Sequence, residues 1–83
     1  MRINLSDENI KPIAGDVALL AYAYYVKFGA NEAEEAAVFR LAGFLESRFG
    51  ETYAEKAVRL AVKLDGVLSD YNEFAAAVLE NFK

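Results

Sequence analysis

Polar residues nearly vanish between Pro12 and Phe28, where every position from Val17 to Val26 is apolar or a tyrosine. On a helical wheel at about 100° per residue, Ile13, Val17, Leu20, Tyr24 and Phe28 form one stripe, with Ala14, Ala18, Ala21 and Tyr25 beside it. This is the predicted core face, and Tyr24 is the tyrosine expected to be buried on it. Gly15, Leu19, Tyr22 and Val26 fall on the far side, so that only Asp16, Ala23 and Lys27 remain as a narrow strip for water. The run is far short of the about 20 residues needed to cross a bilayer and reads as a helix buried in protein. A helix apolar on two sides is either enclosed by its own fold or shares its second side with another chain.

The flanking patterns predict more helix and no strand. Ser6 with Asp7 and Glu8 reads as a cap and one short turn, and Pro12 suits the first position of the central helix. Gly29 is placed to end that helix in a left-handed conformation, and Asn31 with Glu34 forms a capping-box pattern for the next. That helix, Glu32 to Phe49, carries Val38, Leu41, Ala42, Leu45 and Phe49 on one stripe with Ala37 and Phe44 beside it, and Gly50 closes it. Thr52 and Glu55 repeat the capping pattern for a helix from Tyr53 to about Leu64, with Tyr53, Ala57, Leu60, Ala61 and Leu64 inward and Val58 and Val62 widening that face. Asp65 and Gly66 end it. Val67 and Leu68 are expected to tuck against the core, and Ser69 to cap a last helix with Tyr71, Phe74, Ala75, Val78 and Phe82 inward. No segment alternates with period two and no repeat or linker is present, so residues 1–83 are expected to form a single all-α domain: a compact bundle of about five helices, one short N-terminal turn plus four, around the helix Pro12 to Phe28.

Composition narrows the chemistry. The 83 residues are 55% hydrophobic and include six Phe and five Tyr, enough for one packed core, and the formal charge is -4. Cysteine, histidine, tryptophan and glutamine are absent. No disulfide, thiolate nucleophile or imidazole exists, and a reducing cytoplasm is the expected location. Missing Gln and Cys also suits a heat-adapted or a designed sequence. A secretory leader reading of the apolar run is disfavoured by its flank, where Asp7, Glu8 and Asp16 outweigh Arg2 and Lys11.

Metal, cofactor and catalytic sites are not expected. Without Cys or His a metal would need carboxylates alone, and Asp65-Gly66 lacks the alternating oxygen ligands of a calcium loop. Glu32, Glu34 and Glu35 resemble paired catalytic acids but sit in a first helical turn, where the positive dipole end favours negative charge. The five glycines are scattered singly, so no phosphate loop is present, and the chain is read as non-catalytic.

Two binding classes remain. One is a protein-protein interaction or oligomerisation module, an adaptor, protein inhibitor or structural piece, with Gly15, Leu19, Tyr22 and Val26 as the candidate interface and a homodimer as the expected assembly. The other is a small helix-turn-helix-like DNA-binding regulator using Lys56, Arg59 and Lys63, which recur on the outer side of one helix. Nucleic acid is the weaker partner, because the helix that would enter a groove, Asp70 to Phe82, carries Asp70, Glu73 and Glu80 and no base before Lys83. A designed scaffold without further function is a third possibility. The defining motifs of helix-turn-helix, acyl-carrier, immunity-protein and helical-repeat families are not found in the sequence.

Overall fold

Small residues decide how the helices meet. In a computed structural model, which describes residues 15–83, α1 (Gly15–Phe28) lies beside α3 (Tyr53–Lys63) through Ala23, Ala57 and Ala61, all buried. Gly15 faces Tyr53 at one end of this contact and Lys27 pairs with Asp65 at the other, so the two helices run parallel. Between them in sequence comes α2 (Glu32–Phe49), which returns antiparallel after a short connection. Gly29 supplies that turn at φ 81°, a region that L side chains rarely adopt, and its amide bonds the Tyr25 carbonyl. The expected capping box is formed in full: the Asn31 side chain accepts from the Glu34 amide at 2.8 Å, and the Glu34 carboxylate accepts from the Asn31 amide at 3.0 Å.

Two apolar clusters enclose α1 from opposite sides. Ala18, Ala21 and Tyr25 meet Ala37, Leu41 and Leu45 of α2, together with Ala75, Val78 and Leu79 of α4 (Asn72–Leu79). On the other side, Ala23 meets Ala57 and Ala61 of α3 and Leu68 from the turn that follows. Each fully buried Leu contributes about 1.5–3 kcal/mol relative to its exposed state. An aromatic ladder runs round the rim from Phe82 through Phe44 and Phe49 to Tyr53, with centroid spacings of 5.4, 5.7 and 4.9 Å, and the Lys56 ammonium ends it 5.1 Å from the Tyr53 ring. The principal extents, 30 × 28 × 25 Å, are nearly equal, so the helices form a rounded cluster and not an elongated bundle.

The all-α class and the three loop positions agree with the sequence reading, and among the described residues there is no strand. The expected N-terminal turn with its Ser6 cap, and the start of the central helix at Pro12, lie outside the described residues. Other expectations need correction. Thr52 makes no side-chain cap bond, because its own backbone is helical at φ -83°, ψ -6°, and its hydroxyl is not turned to the first amides of α3. The last helix is not continuous: Leu68–Tyr71 and Glu80–Phe82 are 3₁₀ turns around an eight-residue α4. Ser69 therefore caps nothing, and its hydroxyl donates to the Gly66 carbonyl. The tight turn drives Leu68 fully into the core while Val67 stays about half exposed. Leu79, not among the expected inward residues, is buried.

Candidate interaction surface

The wheel of α1 assigned its sides correctly at Asp16 and Lys27, which are exposed, and wrongly at Ala23, which is fully buried. The physical reason is α3: a methyl side chain lets the two backbones approach, so α3 lies along the strip expected to face water. Tyr24, the tyrosine expected to be buried, gives that place to Tyr25, which the wheel set beside the core stripe. Tyr25 is 5% exposed, whereas Tyr24 is half-buried and lies edge-on to Tyr25 and 4.8 Å from the Phe28 ring. Burial, and next the Glu34 carboxylate near its hydroxyl, push the Tyr25 phenol up to about 12.

The four residues of the candidate interface do not remain open together. Gly15 has Tyr53 against it, Leu19 packs on the second cluster, and Tyr22 lies between both clusters. Each is taken up by the chain's own α3 and neighbouring turns, so the far side of α1 is not a contiguous free patch. Val26 alone is open, at 38% exposure.

Val26 has company that the sequence reading assigned elsewhere. Val58 and Val62, expected to widen the inner face of α3, are 48% and 77% exposed. The inner face is already filled by Ala57, Leu60, Ala61 and Leu64, and on the wheel Val62 falls nearly opposite Leu60. Together with Lys27, Ala61 and Asp65, the three valines line a shallow groove of about 350 Å³ between the ends of α1 and α3. The signal that marks it is positional: Val58 and Val62 are one helical turn apart, each preceding a basic residue.

Lys56, Arg59 and Lys63 are exposed along α3, as the alternative nucleic-acid face requires, and Arg59 and Lys63 directly follow Val58 and Val62 in sequence. Lys56 lies over the Tyr53 ring, and Arg59 sits 3.9 Å from Glu55 in a loose, exposed pair. The following α4 is short, and Glu73 in its first turn is exposed.

Among the described residues no charged side chain is buried and no group of three or more carboxylates comes together. No described helix is long and apolar enough to cross a membrane. What the surface offers chemically is apolar contact edged by charge. Compared with known protein families, curated proteins and solved structures, the chain matches none. Fold and surface together define a class, an all-α domain with an open valine groove.

Proposed function

We propose that this chain is a non-catalytic protein-interaction module that works through the face formed by Val26, Val58 and Val62, in the reducing interior of a cell. The observation that carries the reading is that three branched apolar side chains share one open groove, while most other large aliphatics among the described residues are packed. The contact residues differ from those expected on α1 alone, since Val26 is kept and the rest come from α3. Oligomerisation is one form of such a module, and adaptor or inhibitor roles use the same surface.

The test compares Val62→Glu with the parent by sedimentation and by capture of protein partners. An exposed Val replaced by Glu should leave thermal unfolding nearly unchanged, within about 0.5 kcal/mol, while association is lost. Association that survives both Val62→Glu and Val58→Glu sinks the reading. Salt-sensitive duplex binding by the parent that disappears when Lys56, Arg59 and Lys63 become Glu would replace it with the DNA-binding alternative.

A further inference from the structure

We propose that the valine groove receives Phe39 of a second copy of this chain, giving a head-to-tail contact; the proposal rests on the interaction-module reading and names its partner. Phe39 is 69% exposed on the side of α2 that faces away from Ala37, Leu41 and Leu45. Its neighbours along that side are Glu32, Glu35, Ala36, Gly43 and Glu46, all exposed, and a Cβ built on Gly43 would meet nothing within 4 Å. A single aromatic ring therefore stands on a floor of small residues with acids before and after it. The nearby Arg40 makes no ion pair with them, and its guanidinium donates to the Phe82 carbonyl at 3.0 Å.

The groove is complementary in size and in charge. A phenyl ring fits a cavity of about 150 Å³, and the groove offers about 350 Å³. The charges that line it, Lys27 and Asp65, pair with each other, and the exposed residues of α3 beside it, Lys56, Arg59 and Lys63 against Glu55, are net positive, where the Phe39 face carries Glu32, Glu35 and Glu46. The spacing also corresponds: Glu35 lies one turn before Phe39 and Arg59 one turn before Val62, so a ring seated by Val62 brings the two charges within reach. Arg59 is available, because its bond to Glu55 is long and solvated. A symmetric antiparallel pairing of valines with valines fits less well, because it sets the two basic rows side by side. Knob and groove are different patches on one molecule, so the contact is heterologous, and its copies form a ring or a chain according to the rotation between them.

The experiment uses two full-length variants, Phe39→Asp and Val62→Glu, each alone and mixed, followed by light scattering after size exclusion. Both positions are exposed, so circular dichroism should show both folded; Phe39→Ser and Val58→Asp serve as second variants of each face. The parent should self-associate, and each single variant should be weakened by about tenfold or more. The mixture should form a 1:1 heterodimer that grows no further, since it retains one intact knob and one intact groove. Arg59→Glu should weaken the parent, and Glu35→Lys should restore association with it. Phe39→Asp that associates like the parent, or a mixture that stays monomeric while the parent assembles, overturns the Phe39 contact and leaves the interaction module standing. A parent monomeric at millimolar concentration overturns the self-contact, and the module reading then depends on capture of a different protein that Val62→Glu abolishes.

Discussion

Gly15 and Tyr53 divide one space between them: a Cβ added to the glycine would lie 2.6 Å from the tyrosine hydroxyl oxygen and 3.3 Å from the Phe49 ring. The contact sets how closely α1 and α3 approach at the start of their shared length. Gly15→Ala gains up to about 1 kcal/mol of helix propensity, yet displacing a ring held in the aromatic ladder costs about 1–3 kcal/mol. A net loss of about 1 kcal/mol is expected in denaturant melts. In a Tyr53→Phe background, where the hydroxyl is gone, the same substitution should be neutral or stabilising; an equal loss in both backgrounds would show that Tyr53 is not the obstacle.

The two capping patterns provide a matched pair. Asn31→Ala removes a side-chain bond that is present at 2.8 Å and should cost about 1 kcal/mol. Thr52→Ala removes no cap bond and should stay within about 0.5 kcal/mol. Urea midpoints of the two variants check the contrast, and equal costs would contradict it.

Leu68 lies in a turn but is fully buried, whereas Val67 beside it is about half exposed. Leu68→Ala should therefore lose about 2–5 kcal/mol, as a core leucine in a helix does. Val67→Ala should change stability by less than about 0.5 kcal/mol. Thermal melts that rank the two the other way would displace Leu68 from the core.

Alkaline pH should unfold the protein through Tyr25. Its neutral phenol is favoured in the fold, where it ionises at about 12 against an ordinary value of 10.0. Its contribution is thus fully present below about pH 10 and is lost as pH rises through about 12. Ultraviolet titration should show a late tyrosine step that is missing in Tyr25→Phe. Glu34→Gln should bring the midpoint down without normalising it, because burial is the larger cause.

Helix positions were legible in the sequence because glycines and caps speak locally: Gly29, Asn31, Glu34 and Gly50 each act where the pattern places them. Orientation within a helix was legible only where one side dominates, as at Leu41 and Leu45. On α1, with apolar residues all round, the wheel cannot tell which side another helix will cover, and Ala23 and Tyr24 were misassigned accordingly, while Tyr25, placed beside the core stripe, is buried there. The surface was missed for a related reason. Valine is apolar whichever way it points, so Val58 and Val62 read as core until Ala57 and Ala61 are seen to fill the contact with α1. Thr52 and Ser69 show the remaining limit, since a capping residue matches by type even where the backbone turns its hydroxyl elsewhere.

The parallel course of α1 and α3 bears on how the chain folds. Gly15 meets Tyr53, and Lys27 meets Asp65, across separations of roughly forty residues, about half the chain, so this contact cannot form until α2 has carried the backbone back. The α1 and α2 hairpin is local and closes early at small entropic cost, but it leaves Ala23 and its neighbours bare. The hairpin alone is thus short of half its cover, and α4, which packs on both of its helices, arrives last in sequence. Such an arrangement favours a single cooperative transition in which the late helices lock the early pair, with no stable helix-by-helix intermediate.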